Sequence, residues 1–247
     1  MQNIKLTLAY DGSNYHGWQR QKNAITIQEK IEEKIQIMVN EPVTLIASGR
    51  TDSGVHALSQ VCNFMTNSRL HPDIFKRGLN SLLPDDIFIK DAINVPLRFH
   101  SRYDAKCKIY DYRILNRSNP KIFQRNYIWH IQLPLDIELM KKNLRMITGR
   151  HDFSSFRSSG SNNKNPIRTI YQAQLLEPTD EGLLHFSFAA EGFLKHMVRN
   201  IVGTIVQVGL KKITLSKFKD ILESKDRRMA GIKAPPQGLF LKEVQYD

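Results

Sequence analysis

The chain's 247 residues are 41% hydrophobic and carry a net charge of +12, which suits one large domain or two of about 120 residues and argues against disorder. No apolar run approaches the ~18 residues of a membrane span, no apolar leader follows Met1, and the cysteines are only Cys62 and Cys107; membrane, secreted and disulfide-framework classes are disfavoured and a reduced, cytoplasmic setting is expected. The charge is uneven, with 12 Lys/Arg against 11 Asp/Glu in residues 1–105 and 24 against 13 in residues 106–247. Concentration in one half favours a nucleic-acid surface. No basic amphipathic helix with an aromatic face is present, so an anionic membrane is the weaker reading.

Residues 4–10 alternate strictly and predict a strand with one buried face. Asp11-Gly12-Ser13-Asn14 is a turn, and His16-Gly17-Trp18-Gln19-Arg20 a loop of aromatic and polar groups. A helix is expected from its N-cap Thr26, with Ile27, Ile31, Ile35 and Met38 as a core stripe. An apolar extended run at 43–47 and another at 58–65 flank the stretch Ser48-Gly49-Arg50-Thr51-Asp52-Ser53-Gly54-Val55-His56-Ala57. Its two glycines permit a tight loop, and a carboxylate two residues from a guanidinium on such a loop can do chemistry. Asp and Ser beside Gly also serve as plain turn formers, and a surface Arg is usually only solvated.

A second helix opens at His71-Pro72-Asp73 and stops before Pro84, and residues 86–93 read as a strand. The polar–aromatic Phe99-His100-Ser101-Arg102-Tyr103-Asp104 leads into a strand at 108–114, where Tyr110 and Tyr112 share one face and Ile109, Asp111 and Arg113 the other. With neither face plainly apolar, that strand is expected to border a cleft. A helix follows at 136–147, ended by Gly149. The polar residues 158–165 are expected to be a mobile loop. Residues 168–176 and 183–190 form a hairpin.

Residues 193–208 are apolar nearly all round and predict a buried helix. Lys195 and Arg199 interrupt it; a buried Arg needs a carboxylate or phosphate partner, unless it snorkels at the helix rim. Ala234-Pro235-Pro236-Gln237-Gly238-Leu239-Phe240-Leu241 is a stiff turn feeding a last strand. The expected fold class is α+β, in two similar halves with largely antiparallel sheets flanked by helices, meeting near residue 105: residues 1–105 and a basic half at 106–247.

The ten residues around Asp52 resemble the signature of the tRNA pseudouridine synthase A family. The resemblance extends to Tyr10-Asp11-Gly12, His16-Gly17-Trp18-Gln19, Leu79-Asn80-Ser81-Leu82-Leu83-Pro84 and the Tyr110–Tyr112 strand. In the second half, His151-Asp152-Phe153, His196-Met197-Val198-Arg199-Asn200-Ile201-Val202-Gly203 and Ala234-Pro235-Pro236 with Gly238-Leu239 match too. Ser53, Ser59 and Ser101 stand where Ala or Gly is usual, and Ala47-Ser48 where Gly-Ala is; none of these removes a reactive group.

The resemblance implies a cytoplasmic homodimeric isomerase that turns uridine into pseudouridine at positions 38, 39 and 40 of the tRNA anticodon stem-loop, without metal or cofactor. It implies a cleft between the two halves and makes Asp52 the catalytic nucleophile, with Arg199 as the cation paired to it. Physical chemistry suits these roles. Burial under a flipped base favours a neutral carboxyl, and a guanidinium opposes that. Tyr110 offers a stacking face and a phenol to take the C5 proton, Leu239 an apolar wall, and Arg50 a hold on the gap or the phosphates.

Two other classes compete. Asp52-Ser53-Gly54 reads also as the D-[ST]-G of an aspartic protease, but that chemistry needs a second carboxylate and the chain has no second such motif. A non-catalytic RNA-binding protein accounts for the charge but not for the Asp52 loop or an Arg in an apolar helix.

Overall fold

The computed structural model describes residues 1–160 and 165–246. Ser161, Asn162, Asn163 and Lys164, the middle of the segment expected to be a mobile loop, lie outside the described residues. The chain forms two units, Met1–Lys106 with Phe240–Asp247, and Cys107–Leu239. Each is α+β with a largely antiparallel sheet.

The first unit holds β1 (Gln2–Tyr10), α1 (Ile27–Val39), β2 (Ile46–Ala47), β3 (His56–Thr66), α2 (Pro72–Leu82) and β4 (Ile87–Val95). The alternation of β1 is realised: Ile4, Leu6 and Leu8 are fully buried, and the strand pairs antiparallel with β3 on one side and β4 on the other. Thr26 caps α1 by accepting the Glu29 amide at 3.4 Å, and Ile27, Ile31 and Ile35 are buried with only Met38 half-exposed. Pro72 opens α2, where a missing N–H costs nothing. Its Phe75 meets Phe64 of β3 edge-on, ring centroids 5.4 Å apart.

The run at 43–47 is not a full strand; only β2 pairs with β3. Side chains of α1 take the place of the ladder. Glu32, buried, accepts the Leu45 amide at 2.9 Å, and Gln28 donates to the Leu45 carbonyl at 3.3 Å.

The second unit contains β5 (Cys107–Asn116), β6 (Trp129–Ile131), α3 (Ile137–Arg145), β7 (Gly149–Asp152), β8 (Ile167–Leu175), β9 (Leu183–Ala190), α4 (Met197–Gly209) and α5 (Leu215–Ser224). Its antiparallel order is β5-β9-β8-β7, with β6 parallel to the end of β5. The β8–β9 hairpin lies where the sequence predicts it. The helix at 136 stops at Arg145, and Gly149, at φ +101°, opens β7 instead of closing that helix.

Helix α4 begins at Met197, later than its apolar run, because His196 adopts φ +62° and sets the turn into the helix. Of its residues only Gln207 is not buried. Strand β5 is more buried than its mixed faces imply: Tyr112, Ile114 and Leu115 are wholly buried and Asp111 is 3% exposed. The Tyr112 hydroxyl donates to the Pro235 carbonyl at 2.7 Å, which makes a tyrosine tolerable there.

After α5 a one-turn helix, Pro236–Gly238, leads into β10 (Leu239–Gln245). That strand belongs to the first unit from Phe240 onward and runs parallel to β3, pairing Phe240 with His56 and Leu241 with Ala57.

Candidate active site

Asp52 stands at the first corner of a tight turn. The Val55 amide donates to the Asp52 carbonyl at 3.1 Å, and Gly54, at φ +74°, supplies the left-handed third residue that a type II turn requires. The neighbouring loop holds this turn through backbone groups. Trp18 N donates to the Thr51 carbonyl at 3.1 Å, and Gly54 N donates to the Tyr15 carbonyl at 3.3 Å. Ser53 Oγ donates to the same Tyr15 carbonyl at 3.2 Å.

Gly17 is what lets the two loops approach. A Cβ there would stand 2.6 Å from the Thr51 oxygen, and φ +88° already favours glycine. The sequence motif around Trp18 is thus a clamp on the Asp52 turn: Trp18 itself is 1% exposed and does not offer its indole to a ligand. Asp52 is half-buried and Arg50 exposed.

The turn's far end is fixed by His56. Its Nδ1 lies 3.1 Å from the Gly12 amide, and its ring stacks on Phe240 of β10 at 4.7 Å. The last strand of the chain is thereby attached two residues beyond Gly54. Tyr15, whose hydroxyl donates to Asp86 Oδ1 at 2.5 Å, anchors the clamp to the start of β4. Burial, and then this carboxylate, push the Tyr15 phenol pKa up, so it stays a neutral donor.

In the second unit Tyr110 sits on β5, 8% exposed, its ring edge-on to Phe193 at 5.2 Å. Arg199, in the first turn of α4, is 6% exposed. It is therefore in the core of its helix rather than snorkelling at the rim. Its Nε donates to the Ala234 carbonyl at 2.9 Å, and its own carbonyl accepts the Ala234 amide at 3.0 Å. Burial pushes the Tyr112 phenol pKa up, with the charge of Arg199 opposing it. Leu239, 6% exposed, follows the Pro236–Gly238 turn. A Cβ on Gly238 would lie 2.8 Å from the Arg113 carbonyl and from the Tyr112 ring, so that turn is pressed flat against β5. Asp52 and Arg50 thus lie in one unit, and Tyr110, Arg199 and Leu239 in the other.

A family model described as tRNA pseudouridine synthase matches residues 7–104 and 144–247. The chain is 49% identical over 246 residues to tRNA pseudouridine synthase A of Thermoanaerobacter sp. (strain X514), and 48% identical over 246 residues to that of Clostridium acetobutylicum. Each alignment covers 100% of both chains. The enzyme of the same name from Geobacillus sp. (strain WCH70) is 45% identical over 99% of this chain and 98% of its own. The chain belongs to the tRNA pseudouridine synthase family.

The resemblance read from the motifs therefore holds, and with it the α+β fold class. As a tRNA pseudouridine synthase the chain is an isomerase that acts on uridine in tRNA, and its +12 charge suits a polyanionic substrate. Asp52, Arg50, Arg199 and Leu239 fall inside the matched stretches of the synthase model, whereas Tyr110 lies between them. Among the described residues no helix is long and apolar enough to cross a membrane.

Sequence reasoning did not find the roles of Tyr15, Gly17 and Tyr112. Gly17 carried a signal, since glycine beside a tryptophan in a loop marks a close backbone approach. The other two act through groups that any buried tyrosine possesses.

Proposed function

We propose that the enzyme isomerises uridines 38, 39 and 40 of the anticodon stem-loop, with Asp52 as the catalytic carboxylate. The observation that carries this reading is the Asp52 turn, a half-buried aspartate on a backbone pinned by Trp18, Tyr15 and Val55. A carboxylate on a fixed backbone is what the reaction asks for. The C1′–N1 bond breaks, a C1′–C5 bond forms, the C5 proton leaves and N1 ends protonated. A nucleophile or base beside the sugar carries the first of these changes.

The uridine has to leave its stack to be reached, at a cost of a few kcal/mol. Tyr110 stacks on the base, which returns roughly 1–3 kcal/mol, and its phenol takes the C5 proton. Leu239 packs on the ring. Arg199 is the cation that keeps the carboxylate ionised when a base covers it, and Arg50 holds the phosphates or the gap left behind. Contacts from the basic half, residues 106–247, supply the remaining binding energy, while residues 1–105 carry the Asp52 loop. The enzyme works as a cytoplasmic homodimer with no metal or cofactor.

Incubating purified protein with unmodified tRNA and a chelator tests this reading, with pseudouridine scored by carbodiimide reactivity. New adducts at positions 38 to 40 are expected. Modification confined to other positions, or none without added metal or cofactor, overturns it.

A further inference from the structure

A buried amide is bonded directly to the loop that carries Arg50 and Asp52. Gln60 of β3 is fully buried, and its side chain makes four hydrogen bonds. Nε2 donates to the Gly49 carbonyl at 2.9 Å and to the Tyr10 hydroxyl at 3.4 Å. Oε1 accepts from Ser48 Oγ at 2.6 Å and from the Val61 amide at 3.1 Å. Two donors and two lone pairs are all that an amide possesses. Tyr10 carries the network one step further, with its hydroxyl 2.8 Å from Thr51 Oγ1.

All four side chains of this network, Tyr10, Ser48, Thr51 and Gln60, are buried. Burying so many polar groups is costly unless every one is bonded, and an apolar residue at position 60 would serve a sheet core with less risk. What the amide does that an apolar residue cannot is grip a loop. Ser48, Gly49 and Thr51 are each held, and the two residues between and after them are the exposed Arg50 and the half-buried Asp52. Burial also pushes the Tyr10 phenol pKa up, so that it remains a neutral hydrogen-bonding group.

We propose that Gln60, acting with Tyr10, is a positioning residue for the isomerisation: Gln60 holds the Ser48 hydroxyl and the Gly49 carbonyl before Arg50, Tyr10 meets the Thr51 hydroxyl after it, and together they set where the Asp52 carboxylate stands. This rests on Asp52 being the catalytic carboxylate. A displacement of about 1 Å at a reacting group can cost on the order of a hundredfold in rate, which gives the device its value.

The test compares Gln60→Met, Tyr10→Phe and Asp52→Asn with wild type. The single-turnover rate on an anticodon stem-loop, the Kd for that RNA and the thermal midpoint are measured for each. Gln60→Met keeps the length of the side chain and removes all four bonds. Tyr10→Phe keeps the ring beside Trp18, at 6.0 Å between centroids, and removes only the hydroxyl. For both, the rate is expected to fall by about tenfold to a hundredfold, well below the melting midpoint, with Kd within about threefold of wild type.

Wild-type rates for the two variants overturn the proposal, as does a rate loss explained wholly by weaker RNA binding. Should Gln60→Met fail to fold, Tyr10→Phe decides by the same criterion. Asp52→Asn separates the two levels. If it stays active, the reading of Asp52 falls; if it is inactive while the other two are normal, only the positioning role falls.

Discussion

Arg199 and Ala234 hold each other twice: the guanidinium Nε donates to the Ala234 carbonyl at 2.9 Å, and the Ala234 amide donates to the Arg199 carbonyl at 3.0 Å. Side chain and backbone of one residue thus grip both polar groups of another. With Tyr112 donating to the carbonyl of Pro235, this pair sets the entry of the segment that ends in Leu239.

Arg199→Lys tests whether the guanidinium matters beyond its charge. A lysine keeps the charge but has no Nε in the plane of a fork, so the Ala234 carbonyl loses its side-chain donor. The expected outcome is a rate loss of about tenfold or more with tRNA affinity nearly unchanged, read from single-turnover kinetics and filter binding. Equal rates for the two proteins would show that only a positive charge is needed.

Tyr110 has been given two roles, and two substitutions separate them. Tyr110→Phe keeps the ring and its edge-on contact with Phe193, so RNA binding should hardly change. Loss of the hydroxyl should slow the reaction by about 10²–10⁴-fold if the phenol moves a proton. Tyr110→Leu should add roughly 1–3 kcal/mol of lost stacking, seen as weaker binding. A near-normal rate for Tyr110→Phe leaves the stacking role alone.

The uneven charge makes a prediction about salt. Affinity for tRNA should fall steeply as salt rises, by a slope of roughly −0.7 to −0.9 per neutralised phosphate on a log–log plot. Neutralising cations in residues 106–247, where 24 Lys/Arg face 13 Asp/Glu, should flatten that slope more than the same number of changes in residues 1–105. Equal flattening would show that the basic half is not the principal RNA surface.

Much of this was legible in the sequence, and the exceptions have physical causes. Strong periodicity located β1 and α1, because one-sided burial writes itself into residue spacing; the start at His71-Pro72 and the stop at Pro84 bracketed α2, and the turn at 178–182 between two extended runs marked the β8–β9 hairpin. Helix α5 went unread: Phe218 and Ile221 are its only buried residues, too few to make a stripe. The run at 43–47 looked like a strand because apolar spacing cannot show that Glu32 and Gln28 take over the hydrogen bonds of Leu45. Return of β10 to β3 is a long-range pairing with no local signature. Around Asp52 the motif was plain, but the clamp was not. Apart from the Ser53 hydroxyl it is made of backbone groups of Tyr15, Trp18, Thr51 and Gly54, and backbone groups are the same in every sequence.

Asp52→Asn shows whether Asp52 does the chemistry. The change keeps size and polarity and removes the carboxylate. Carbodiimide scoring of pseudouridine in a single-turnover reaction should show no product, while tRNA affinity falls by less than about tenfold. Turnover by Asp52→Asn within about a hundredfold of wild type would show that Asp52 is not the catalytic carboxylate, whether as nucleophile or as base.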